Sequence, residues 1–165
     1  MRILVLSDSH AAMSFMRHCV EKLKPDAVIH LGDYYDDAET LQELYPHLPF
    51  HTVAGNCDRH RCPPGVREML CYGIGGVRFF ITHGHNYYVK NGIGALVAEA
   101  RRQEAQVVLY GHTHIAECHQ EADGMWVINP GTCGYGERSA VVLTVNDNKM
   151  TACRFVGQAE LEEWI

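Results

Sequence analysis

Short apolar runs that stop abruptly on polar residues dominate the first third of this chain. Ile3-Leu4-Val5-Leu6 stops at Ser7-Asp8-Ser9-His10, Ala27-Val28-Ile29-His30-Leu31 at Gly32-Asp33, and His51-Thr52-Val53-Ala54 at Gly55-Asn56. Continuous apolar runs of this length suit strands buried on both faces, the habit of parallel sheets. Between them the spacing turns helical. Met13, Met16, Cys19, Val20 and Leu23 share one face, with Ser14 near the start as a cap and Pro25 as the stop. Ala38, Leu41 and Leu44 face inward in a second helix, capped by Asp36 or Asp37 and ended by Pro46. Strand-helix-strand-helix-strand predicts an α/β protein built on parallel pairing.

Beyond Pro63-Pro64 the pattern changes. Val66 to Tyr72 and Val77 to Ile81 flank Gly73-Ile74-Gly75-Gly76 and predict a hairpin. A phosphate-cradling loop would need a helix directly after the glycines, and none follows. Ile93, Leu96, Val97 and Ala100 predict a third helix. Strands are expected near 106–110, 115–120, 125–128, 138–145 and 149–156, with turns at Asp123-Gly124 and Asn146-Asp147-Asn148. With 165 residues, 47% of them hydrophobic, and no linker or repeat, one domain over residues 1–165 is expected.

Lys+Arg 14 against Asp+Glu 20 leaves a net charge of -6, the wrong balance for gripping polymeric DNA or RNA. Seven cysteines without a CxxC pair read as reduced thiols rather than a disulfide framework. Ile3 to Leu6 is too short for a signal-peptide core, and nothing approaches the roughly 20 apolar residues of a membrane span. A cytoplasmic protein without membrane attachment is expected. Leu161, Trp164 and Ile165 would cover the domain's own core or that of a neighbour, which leaves a homo-oligomer open.

The chemistry gathers where the buried runs end. Asp8 and His10 follow the first, Asp33 the second, Asn56 and Asp58 the third, His83 the run at 77–81, and His112 and His114 the run at 107–110. That carboxyl edge is where α/β sheets place their ligand sites. Carboxylate and amide oxygens with imidazole nitrogens suit a divalent ion such as Mn²⁺, Fe²⁺ or Zn²⁺. They are too many for one closed four-coordinate site. Two ions about 3.5–4 Å apart would use them, and such a pair suits hydrolysis of phosphate esters by in-line attack. His112 and His114 read first as a clamp on one ion, both imidazoles lying on one side of an extended backbone; the larger set divides them between two.

Asp8-Ser9-His10, Gly32-Asp33, Gly55-Asn56-Cys57-Asp58, Thr82-His83-Gly84-His85 and Gly111-His112-Thr113-His114 resemble, in order, the motifs of the calcineurin-like metallophosphoesterases. The nearest resemblance is to the small single-domain bacterial and archaeal phosphodiesterases of the YfcE and MJ0936 type. Asn129-Pro130-Gly131-Thr132 is similar to a further segment of theirs. The resemblance implies two packed mixed sheets flanked by helices in four layers. It implies that Asp8, His10 and His114 bind one metal and Asn56, His83 and His112 a second, with Asp33 bridging. Asn56, His83 and Asp33 would then serve catalysis directly. It further implies Mn²⁺ as the usual activator, with Fe, Zn or Ni also found, and a small phosphate diester attacked by a metal-bridging hydroxide. The alternative it carries is a protein-interaction scaffold like the retromer subunit Vps29.

Several neighbours of the motifs read separately. Asp58 is expected to orient a ligand or cap a helix. His85 is placed near substrate phosphate, and His30 reads as a hydrogen-bonded core histidine. Cys57 stands where phosphomonoesterases of the family carry a proton-donating histidine. It reads as a small buried side chain, with proton donation to the leaving group as the functional alternative.

Overall fold

The computed structural model describes residues 1–163. Arg2–Leu6 forms β1, Met13–Leu23 α1, Ala27–His30 β2, Tyr35–Leu44 α2 and Phe50–Thr52 β3. Met69–Ile74 (β4) and Val77–Thr82 (β5) make the hairpin, and Gly94–Arg102 is α3. Val107–Leu109 (β6), Glu117–Gln120 (β7), Trp126–Asn129 (β8), Ser139–Asn146 (β9), Lys149–Gly157 (β10) and Gln158–Glu162 (α4) complete the chain.

Two mixed five-stranded sheets result, in the orders β10-β9-β1-β2-β3 and β4-β5-β6-β8-β7. Pairing is parallel in β1-β2-β3 and in β5-β6-β8, and antiparallel outside them. Side-chain alternation then builds four layers. Ile3, Val5 and Ile29 pack between the sheets against Phe79, Ile81 and Leu109. Leu4 and Leu6 point outward to Phe15, Met16, Val20 and Leu41 of α1 and α2. Phe80 and Val108 point the opposite way, to Leu96, Val97 and Ala100 of α3. The expected architecture is the observed one.

Local expectations fail where tertiary contacts intervene. The hairpin turn is only Gly75-Gly76, because Ile74 and Gly73 pair with Val77 and Arg78. Leu44 is 51% exposed rather than inward. Ser14 does not cap α1; the preceding residue, Ala12, stands at the cap position and makes no side-chain bond. Neither Asp36 nor Asp37 caps α2. Tyr34 occupies the cap position, while Asp58 Oδ1 accepts the Tyr35 N–H at 2.8 Å. Leu161 is buried against α1, whereas Trp164 and Ile165 lie outside the described residues.

His30 is fully buried on β2, as expected of a core histidine. Ser9 Oγ donates to Asp37 Oδ2 at 2.8 Å, so His30 Nε2–H donates to Ser9 Oγ at 3.0 Å. His30 Nδ1 accepts the Gly32 N–H at 3.2 Å. Burial pushes the imidazole pKa down to about 4. An unfolded histidine takes a proton near 6.5. Between those values the unfolded chain binds a proton that the folded chain refuses, so stability present above pH 6.5 is lost as pH falls to about 4, by roughly 3 kcal/mol. Urea unfolding of chelator-treated protein should show that loss, reduced in His30→Gln. An equal loss in the variant would assign it to other groups.

Candidate metal centre

The parallel strands of both sheets end at the same edge, and the turns beyond them interlock. The Asp8 N–H donates to Gly32 O at 3.0 Å, and the Gly111 N–H to His83 O at 2.9 Å. Two motif glycines are required by this closeness. A Cβ on Gly55 would stand 2.3 Å from Asp33 Oδ1, and one on Gly111 would stand 2.1 Å from Ser7 Oγ and 2.7 Å from Asp8 Oδ2.

Asp8, His10, Asp33, His112 and His114 all adopt left-handed backbone, with φ between 42° and 69°. Such conformations carry about 1 kcal/mol or more of strain each and persist where the surroundings over-determine them. They turn the side chains back over the sheet edge. The 112–114 doublet is therefore not the extended segment expected of it: β6 ends at Leu109, and both histidines sit in turns.

Two groups of metal-capable side chains share this edge. Asp8, His10 and His114 form one, and Asp8, Asp33 and His83 the other, with ligand atoms within 4.8 Å of one another in each. His114 Nε2 lies 3.2 Å from Asp8 Oδ1. Asp33 faces both groups, its Oδ2 3.8 Å from His10 Nε2 and its Oδ1 3.5 Å from His83 Nε2. His112 joins the second group, with Nδ1 3.2 Å from His83 Nε2. Asn56 is exposed, its amide Nδ2 standing 3.7 Å from Cys57 Sγ.

These residues fit divalent ions. Asp8 Oδ1 and His10 Nε2 are buried without a hydrogen-bond partner among the described residues, a costly state for a carboxylate in an apolar fold. His83 Nδ1 stands 2.8 Å from Leu31 O, and a carbonyl only accepts, so Nδ1 carries the proton and Nε2 presents a lone pair. The His83 and His112 nitrogens at 3.2 Å suit two ligands each about 2.1 Å from one ion.

The electrostatics keep the donors in their binding forms. Burial lowers the His10 pKa, and burial with His83 and Lys90 nearby takes that of His112 to about 4. Burial alone would raise Asp33, but the His83 imidazole and the Cys57 N–H, 2.9 Å from Oδ1, bring it below the usual carboxylate range.

The supporting residues sort themselves by contact. Asp58 is fully buried and accepts the N–H of Asp33, Gly55 and Tyr35, holding the Asp33 turn, the Asn56 turn and the start of α2 together. His85 packs 5.5 Å from the His83 ring, with its buried Nδ1 unpartnered among the described residues. Cys57 is exposed rather than buried, because it sits in the tight 55–58 turn beside Asp33, whose Oδ1 accepts its N–H. Partial desolvation of the thiol, then the negative Asp33 carboxylate nearby, pushes its pKa up to about 11. Asn129 Nδ2 donates to Gly111 O and Thr113 Oγ1, and Thr132 Oγ1 to Asp8 O, so the 129–132 segment braces two ligand turns.

Three residues had no signal in the sequence. Asp37 binds Ser9 Oγ and the Ala11 N–H, fixing the turn between Asp8 and His10. Tyr34 and Tyr135 pack on the His10 ring at 4.8 and 4.6 Å. A separate hollow lined by Ala105, Gln120, Trp126 and Lys149 includes none of the ligand candidates.

Residues 1–148 match the family model described as the calcineurin-like phosphoesterase superfamily domain. A probable metallophosphoesterase of Bacillus subtilis, YsnB, is 29% identical over 99% of this chain and 96% of its own. Phosphodiesterase MJ0936 of Methanocaldococcus jannaschii is 31% identical over 82% of this chain and 86% of its own. The crystal structure of a predicted phosphoesterase from Streptococcus pneumoniae superposes with a TM-score of 0.75 at 26% identity, covering 96% of this chain and 90% of that one. Zinc-complexed Vps29 of Entamoeba histolytica shares the fold at 21% identity and a TM-score of 0.73, covering 95% and 99%.

Proposed function

The chain belongs to the calcineurin-like phosphoesterase superfamily, and on that premise we propose that it is a dinuclear-metal-dependent phosphodiesterase of small phosphate diesters. The observation that carries the proposal is the Asp33 carboxylate standing between His10 and His83, each within 3.8 Å. Asp8, His10 and His114 would hold one ion, and His83 and His112 the other with Asn56 from the rim, Asp33 serving both. Two such ions would supply charge neutralisation for the phosphate and activation of an attacking water near neutral pH. Mn²⁺ is the proposed activator, with Fe, Zn or Ni as substitutes.

The protein's own groups then have distinct tasks. Leu31 O fixes the His83 ring, and Asp58 holds the Asp33 and Asn56 turns in register. His85, with ring centroids 5.5 Å from His83 and 6.2 Å from His112, would meet a phosphate oxygen. Cys57 could donate its thiol proton to a leaving group. We assign residues 1–165 to a single metallophosphoesterase unit working in the cytoplasm. Among the described residues no helix is long and apolar enough to cross a membrane.

Hydrolysis of bis(p-nitrophenyl) phosphate with Mn²⁺, against His112→Ala, tests this reading. The wild type should turn over with a saturable metal requirement, and the variant should lose roughly a hundredfold or more. The likeness to Vps29 is one of fold alone. A wild type that binds metal yet hydrolyses neither diesters nor monoesters with any of the four metals would favour a scaffold instead.

A further inference from the structure

The ligand cluster lies between two clefts of different character. On the Asn56 side, a cleft of about 600 Å³ is polar, lined by Asn56, Arg59, Glu68, His85 and Asn86. On the His114 side, a cleft of about 790 Å³ runs from His114 and Tyr135 past Ile115 to Phe155, Val156 and Arg138. Its His114 end is aromatic. The Tyr135 ring lies 5.6 Å from that of His114 with only 21° between the planes, and 4.6 Å from His10. Yet Tyr135 is 54% exposed and Ile115 69% exposed. One side of the Tyr135 ring is thus braced on ligand imidazoles while much of the residue faces the cleft. Tyr135 and Ile115 therefore leave apolar surface open beside the candidate metal ligands. A flat ring entering the cleft would cover it. Arg138, also in the lining, donates to Gln158 Oε1 at 3.5 Å, so a polar ring edge or a sugar would find a donor there.

We propose that this cleft receives the nucleoside arm of an asymmetric phosphodiester, with Tyr135 as the stacking platform and Ile115 as the apolar side. The inference rests on the phosphodiesterase reading for its catalytic consequence, but not for its binding consequence. Stacking of one base on one aromatic ring corresponds to roughly a tenfold effect.

The test compares two diesters with the same leaving group, thymidine 5′-(p-nitrophenyl phosphate) and methyl p-nitrophenyl phosphate, on the Mn²⁺-loaded full chain. In wild type, kcat/KM should favour the nucleoside ester. In Tyr135→Ala the ratio of the two kcat/KM values should fall about tenfold, mainly through KM of the nucleoside ester. Tyr135→Phe should keep the ratio, and Ile115→Glu, a change at an exposed position, should lower it. Calorimetric binding of thymidine 5′-phosphate should weaken in the same order. An unchanged ratio with normal turnover would overturn the cleft assignment and leave the phosphodiesterase intact. Absent turnover with Tyr135-dependent nucleotide binding would keep the cleft and overturn the phosphodiesterase. Turnover and binding that are both indifferent to Tyr135 and Ile115 would remove the cleft from recognition altogether.

Discussion

Asp33→Ala is expected to lower Mn²⁺-dependent phosphodiester hydrolysis by roughly a thousandfold or more, through loss of transition-state charge stabilisation. The residue is 3% exposed, and its two oxygens address opposite groups, Oδ2 towards His10 and Oδ1 towards His83. On the proposed two-ion reading, truncation would remove a ligand from both ions together. The fold should survive, because Asp58 Oδ2 holds the Asp33 backbone N–H at 2.9 Å independently of the side chain. Asp33→Asn separates charge from shape, since its amide oxygen can still accept the Cys57 N–H that now meets Oδ1. Steady-state rates over a metal titration, with circular dichroism as a folding control, check both variants. If Asp33→Asn kept more than about a tenth of wild-type kcat at saturating metal, the shared-carboxylate assignment would fail; the expected loss is far larger.

The contrast between Asp33 and Asp37 shows what can be read from a chain like this before its fold is known. Asp33 closes a run of buried apolar residues, and the sheet itself carries it to the active edge; strand placement is a local property written in residues 27–31. Asp37 lies in the first turn of α2 and looked like its cap, but it turns away to Ser9 and Ala11. The Tyr35 N–H is instead served by Asp58, 23 positions further along. Which carboxylate satisfies which N–H is decided by how the β1, β2 and β3 turns meet, information no single segment holds. Cys57 follows the same logic: its exposure is a property of the 55–58 turn, whose N-terminal Gly55 is pressed against Asp33 and His83. Tyr135 is further still from local reach. Its ring finds His10 and His114 only after β8 and β9 have placed the 130–138 loop beside the ligand candidates that follow β1 and β6. The metal-capable residues were legible because each sits at a strand end; the rim that would read the substrate was not, because loops build it.

Metal should also hold the protein together, and the expected effect is large enough to separate a built site from an incidental one. Asp8 is fully buried, its Oδ1 without a hydrogen-bond partner among the described residues and its Oδ2 bonded to Ser7 Oγ and the His112 N–H. Asp33 stands beside it, so two buried carboxylates share the site with His83, whose Nδ1–H is taken by Leu31 O and whose Nε2 presents a lone pair. Without a cation, charge is buried with incomplete compensation, a costly arrangement. A divalent ion that binds the folded but not the unfolded chain at about 100 times its Kd adds about 2.7 kcal/mol. For a chain of this size, that corresponds to roughly 5–10 °C in Tm. Chelation should lower Tm by that amount, and restored Mn²⁺ should recover it along the same saturation curve that governs hydrolysis. Asp8→Asn should weaken the response by removing the charge that both ligand groups share. A Tm indifferent to Mn²⁺, Fe²⁺, Zn²⁺ and Ni²⁺ at millimolar concentration would mean that the left-handed turns at Asp8, His10, Asp33, His112 and His114 serve something other than metal. A response equal in wild type and Asp8→Asn would move the ion elsewhere. The strain in those five turns gives the first of these outcomes its force, because backbone held in a costly conformation at one edge requires a return, and the buried carboxylates make a cation the return that fits.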